Sequence, residues 1–125
     1  MNWLIFLQVL IAIESGGDIN AHGDKHLTNQ AYGICQIRQP YLTDVNLIAG
    51  TSFTLKEVAD SQALSRWATI TYIRHYGARY TRITGKPLTY EVAARIHNGG
   101  PNGWKRDTTD AHWAKFQAAK ARMGL

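Results

Sequence analysis

Apolar residues run almost unbroken over positions 3–13, with Gln8 the one polar interruption, and the run stops at Glu14-Ser15-Gly16-Gly17. This pattern predicts a core helix over 2–14 that ends where paired glycines let the chain turn. The run is too short to span a bilayer and lacks a basic leader, so no export signal and no stable membrane insertion are expected. Residues 18–30 are rich in Asn, Asp, His and Thr and read as turns with short edge strands. Positions 31–37 then predict a strand, with Gly33, Cys35 and Ile37 on one face and Tyr32, Ile34 and Gln36 on the other.

The remaining pattern is helical. Pro40 suits the first position of a short helix reaching about residue 46. Thr54 and Glu57 have capping-box spacing, which starts a helical turn running through Val58. Leu64, Trp67, Ile70 or Thr71, and Ile73 or Tyr76 fall near helical spacing, predicting a long helix over 61–81 closed by Gly85 and Pro87. Thr89 caps a further helix that turns Val92, Ala93 and Ile96 inward and delivers His97 and Asn98 to a loop. A last helix over 110–122 packs through Trp113 and Phe116. The expected fold class is α+β, mostly α, with a small irregular β region beside a cleft.

At 125 residues and 45% hydrophobic, the chain fits one domain, 1–125, with a single core. Its net charge of +5 favours an anionic partner: nucleic acid, a membrane surface or a bacterial cell wall. The basic residues are dispersed and form no helix-turn-helix or zinc pattern, so nucleic acid is not the expected partner. The one cysteine, Cys35, excludes an intramolecular disulfide and leaves stability to the core. Set among Gly33, Ile34 and Ile37, it reads as a buried inert thiol, not as a nucleophile paired with His97. His22 and His26 lack a third ligand, and Gly23 interrupts any helix between them, so neither a metal nor a cofactor is expected.

Chemistry enters at Glu14. A carboxylate at the end of so apolar a helix is disfavoured in its charged form, which is how a general acid is made. Its place at a helix C-terminus is also unfavourable to the helix dipole, so helix stability does not explain it. Cleavage of a glycosidic bond needs a proton donor of this kind and a second group that stabilises the oxocarbenium-like transition state. A second informative stretch, His97-Asn98-Gly99-Gly100-Pro101-Asn102-Gly103, reads as a tight irregular loop that a ligand can approach closely.

Three blocks together resemble the invertebrate-type lysozymes, within the lysozyme and lytic transglycosylase superfamily. They are Glu14-Ser15-Gly16-Gly17; Tyr32-Gly33-Ile34-Cys35-Gln36-Ile37 followed by Pro40, Tyr41 and Asp44; and Ala94 through Gly103 with the later Trp113. The resemblance implies a lysozyme-like fold and a peptidoglycan muramidase that hydrolyses the β-1,4 bond between N-acetylmuramic acid and N-acetylglucosamine. Glu14 takes the general acid position. In chicken-type enzymes the second carboxylate immediately precedes the Tyr-Gly pair, where this chain has Ala31. The invertebrate pattern makes Asp24 the best match, with Asp18 the runner-up. Tyr32, Gln36, His97, Asn98 and Gly99 are the expected substrate-binding residues, while Gly100 and Pro101 shape the loop.

With Asp24 as nucleophile or stabiliser the mechanism would be retaining, which requires carboxyl groups about 5 to 5.5 Å apart. A single cysteine departs from the disulfide-rich secreted animal members. It fits a phage or bacterial lysis enzyme, made in the cytoplasm and acting on the cell wall as a monomer. Two other readings stay open: a lytic transglycosylase, which needs one acid/base and no external nucleophile, and a cell-wall-binding domain without catalysis. No Ser-Lys constellation for isopeptidase chemistry is apparent.

Overall fold

The computed structural model describes residues 1–125. Its helices are α1 Trp3–Glu14, α2 Gln39–Ala49, α3 Leu55–Ala59, α4 Gln62–Thr84, α5 Tyr90–Gly99 and α6 Asp110–Arg122, with short 3-10 turns at Gly103–Lys105 and Asp107–Thr109. Two strands, β1 His22–Gly23 and β2 Ala31–Tyr32, pair antiparallel with His22 opposite Tyr32 and Gly23 opposite Ala31. The architecture is therefore α+β and mostly helical. No helix is long and apolar enough to cross a membrane.

The chain forms two compact units, one of Met1–Ile13 with Ile73–Leu125 and the other of Glu14–Tyr72. In the first, Phe6 of α1 and Phe116 of α6 are fully buried and stack with ring centroids 5.4 Å apart. Val9, Leu10, Ile73, Ala93 and Ile96 complete that core without exposure. Burial of each large apolar side chain contributes about 1.5 to 3 kcal/mol, which is what a chain without cross-links relies on. Thr89 caps α5 by accepting from Val92 N at 3.2 Å, and α6 occupies the expected span.

In the second unit Ile34, Cys35, Ile37, Leu42, Val45 and Val58 are buried, and Tyr41 of α2 stacks on Tyr72 of α4 at 3.7 Å and 13°. The capping box before α3 is complete: Glu57 N donates to Thr54 Oγ1 at 3.1 Å, and Thr54 N to Glu57 Oε1 at 2.9 Å. Asn46 organises the exit from α2, its Nδ2 donating to Phe53 O at 2.9 Å while its Oδ1 accepts from Thr51 Oγ1 and Phe53 N.

Several local expectations are corrected. The strand over 31–37 ends at Tyr32, because the chain doubles back and Tyr32 and Ile37 exchange backbone hydrogen bonds of 3.0 and 2.9 Å. Gly33 makes this turn possible. It has φ +81, and a Cβ there would lie 3.1 to 3.2 Å from the backbone of Ala59. The side chain of Gln36 closes the turn by donating to Gly33 O at 3.0 Å and Ala21 O at 3.2 Å. Apolar residues at 34, 35 and 37 thus enter one core from a loop, not from alternate faces of a strand. Helix α2 continues to Ala49, and α4 to Thr84, whose hydroxyl donates to Tyr80 O at 2.9 Å. His97, Asn98 and Gly99 lie within α5, not in a loop.

Candidate active site

Glu14 is the last residue of α1 and is half-buried. The chain leaves it through Gly16 and Gly17, both left-handed at φ 65 and 87. Ser15 pins this helix end: its Oγ donates to Ile34 O at 2.8 Å and accepts from Gly17 N at 3.1 Å. That bond ties the residue after Glu14 to the loop that carries Cys35.

The surroundings of the Glu14 carboxylate follow from what it does to its neighbours. Burial pushes the Cys35 thiol from 9.0 up to about 11; a hydrogen bond with Thr69 and the Arg66 charge pull it down, and the Glu14 charge pushes it up. The Tyr41 phenol is raised well above 10, by burial first and then by Tyr72, Cys35 and Glu14, against a hydrogen bond with Thr69. Thr69 is fully buried and donates to Ser65 O at 2.9 Å. Glu14, Cys35, Tyr41, Thr69 and Arg66 therefore share one polar locality within the Glu14–Tyr72 unit.

The thiol has a measurable consequence. Because its folded value lies above its unfolded one, the folded state keeps a proton that the unfolded state loses, so stability falls as pH rises from 9.0 towards about 11. Native protein at pH 8 is expected to react slowly with an aromatic disulfide reagent and denatured protein rapidly. Rapid stoichiometric reaction of native protein would show that Cys35 is neither shielded nor protonated.

Asp24 lies just after β1 in a left-handed conformation, φ 55. Its carboxylate pairs with Arg38, which also donates to Asn29 O at 2.6 Å. Arg38 is the N-cap residue of α2, so the start of that helix orients the Asp24 side chain. Sequence reasoning missed Arg38, since nothing in a spacing of fourteen residues signals the contact. Asp18 instead accepts from Asn20 N at 2.9 Å and holds the turn after α1.

Tyr32 stacks on His22 at 4.3 Å and 19°, and its hydroxyl donates to Gln30 Oε1 at 3.4 Å. Gln36 spends its amide on the turn described above. His97 is only 9% exposed and faces His112 of α6 at a ring separation of 6.4 Å, whereas Asn98 is exposed. At Gly99 a Cβ would meet Thr109 Cγ2 at 2.5 Å. The structure thus places Glu14, Asp24, Tyr32 and Gln36 in one unit and His97, Asn98 and Gly99 in the other. Arg95, also missed, pairs with Glu91 within α5 at 3.0 Å and joins α5 to Asp110 of α6 at 2.6 Å and to Thr109 just before it at 2.9 Å. No group of three or more His, Cys, Asp or Glu side chains is placed to hold a metal ion.

No protein-family model matches the chain. Over 113 residues, 90% of this chain and 56% of the relative, it is 33% identical to Lysozyme 1 of Crassostrea virginica, so it spans little more than half of that protein. It is 34% identical over 110 residues to a lysozyme of Magallana gigas, covering 87% of this chain and 74% of the relative. Among solved structures, a crystal structure of Meretrix lusoria lysozyme with PliI of Aeromonas hydrophila superposes with a TM-score of 0.78 at 26% identity, covering 97% of this chain and 93% of that one. Tapes japonica lysozyme gives 0.75 at 27% identity, over 90% and 86% of the two chains. Similar to oyster and clam lysozymes in sequence and in fold, the chain belongs to the invertebrate-type lysozymes, a family of glycoside hydrolases.

Proposed function

We propose that the chain is a peptidoglycan muramidase that hydrolyses the β-1,4 bond between N-acetylmuramic acid and N-acetylglucosamine. The observation that carries this reading is the likeness to lysozymes over most of the chain. The half-buried Glu14 supports it. In its protonated form Glu14 donates to the departing glycosidic oxygen as the bond to the anomeric carbon breaks. Asp24, oriented by Arg38, attacks or stabilises the anomeric carbon. Glu14, now ionised, takes a proton from water as the water oxygen bonds to the anomeric carbon and displaces the Asp24 carboxylate, which leaves both carboxyl groups as they began. Tyr32, Gln36, His97, Asn98 and Gly99 form the proposed sugar-binding set, in which the exposed or half-exposed Tyr32 and Asn98 are the best able to touch substrate.

We place the protein as a phage or bacterial wall-lysis enzyme, acting as a monomer on peptidoglycan and not on nucleic acid. Its single cysteine is buried and forms no disulfide, so folding does not depend on an oxidising compartment. The test is mass spectrometry of fragments released from purified peptidoglycan. Fragments ending in reducing N-acetylmuramic acid are the expected result. Anhydro-muramic ends, each one water lighter, would instead identify a lytic transglycosylase and leave Asp24 without its role. Binding with no fragments released would identify a wall-binding domain.

A further inference from the structure

Two cavities of about 250 and about 210 Å³ adjoin in the Glu14–Tyr72 unit and share Tyr32, Ala59 and Asp60 in their walls. Together they reach the size of small-ligand sites. Leu55 and Lys56 of α3 line the first, and His22 lines the second. We infer that this groove is a subsite for the peptide stem of the cell-wall polymer, a short peptide that carries both a free carboxylate and a free ammonium group. The inference rests on the muramidase reading, because the glycan that reading names bears such stems.

The chemistry of the walls selects this ligand. Lys56 Nζ and Asp60 Oδ2 lie 2.6 Å apart, with side chains 84% and 63% exposed. So exposed an i,i+4 pair has little net worth and exchanges readily with a ligand of matching charges. A ligand bearing both charges can satisfy both groups, each through a charge-assisted hydrogen bond. A neutral glycan has no charge to offer either group, and a polyanion is repelled by Asp60. Beside the pair, its chain neighbours Leu55 and Ala59 give the same cavity an apolar part of its wall. The Tyr32 ring, held against His22 at 4.3 Å, gives a pre-organised wall for aliphatic stem side chains.

The test compares cleavage of stem-bearing glycan with cleavage of the same glycan stripped of stems by an amidase. Wild type is expected to favour the stem-bearing polymer by about tenfold in kcat/KM, a scale set by one or two charge-assisted contacts. Asp60→Asn and Lys56→Gln are each expected to erase most of that preference while leaving cleavage of stripped glycan unchanged. Equal cleavage of both polymers by wild type, or an undiminished preference in both variants, would overturn the subsite. Titration of a free tetrapeptide stem, followed by shifts in the amide resonances of Tyr32, Lys56 and Asp60, reads the site apart from catalysis. Saturable binding weakened by Asp60→Asn supports it even if no glycan is cleaved, in which case only the muramidase reading falls. Absence of peptide binding by wild type counts against the subsite whatever the glycan result.

Discussion

Glu14→Gln is expected to fold like wild type and to release glycan fragments about 10² to 10⁴ times more slowly, the range that general acid catalysis supplies. Glutamine has the shape of the carboxylic acid but no proton to give to the leaving oxygen and no basic form to activate water. The scaffold around it has anchors of its own. The helix end is fixed by Ser15 Oγ donating to Ile34 O at 2.8 Å, and the core of this unit consists of Ile34, Ile37, Leu42, Val45 and Val58. The substitution also carries its own control. The Glu14 charge pushes up both the Cys35 thiol and the Tyr41 phenol, so the variant should titrate Cys35 at lower pH than wild type. A variant that has lost cleavage while its Cys35 still reacts slowly at pH 8, as in folded wild type, has lost chemistry and not structure. Wild-type cleavage by Glu14→Gln would remove Glu14 from the reaction.

What could be read from the sequence follows how local the determining contacts are. The capping box at Thr54 and Glu57, the Thr89 cap and α6 depend on residues three or four apart, and each lies where its spacing puts it. The end of α1 was equally plain, since an apolar run cannot continue as helix through Gly16-Gly17 without cost. Positions 31–37 misled because alternation is a proxy for two faces of a strand, whereas here a Gln36 side chain and the backbone of Ala59 stabilise a reversal. His97 misled for the opposite reason. A loop-forming composition follows it, but the i to i+4 ladder of α5 runs through it to Gly99. At the candidate site, Glu14 was visible from its own environment. The Arg38 partner of Asp24 and the Thr69 bridge to Cys35 and Tyr41 were not, because they join elements distant in sequence.

Gly103→Ala is expected to destabilise the protein by about 3 kcal/mol or more, at the upper end of overpacking costs, and to lower the melting temperature by roughly 10 °C for a chain of this size. The residue is buried at the start of a 3-10 turn. An added Cβ would lie 2.1 Å from Arg95 O, 2.8 Å from Arg95 C and 3.4 Å from Ile96 Cα. All three are backbone atoms of α5, so no rotamer change relieves the overlap. Neither side is free to move. Gly103 N donates to Gly100 O at 2.8 Å, and Gly103 O accepts from Arg106 N at 3.1 Å and from Thr109 Oγ1 at 3.0 Å. Arg95 is held by Glu91, Asp110 and Thr109, and Arg79 donates to Pro101 O and Asn102 Oδ1 in the same loop. Gly17→Ala makes the instructive contrast, since a Cβ there meets nothing within 4 Å and only the left-handed backbone at φ +87 resists it, a penalty of about 1 to 2 kcal/mol. Thermal unfolding of the two variants side by side separates steric exclusion from backbone strain. A Gly103→Ala protein that melts no lower than Gly17→Ala would mean that α5 and the turn part easily. The glycine would then be required by the substrate or not at all. If the larger loss is seen, the glycines of the His97–Gly103 stretch are there so that α5 and its following turn can pack backbone to backbone, and the placement of Asn98 at the helix end is a consequence of that packing.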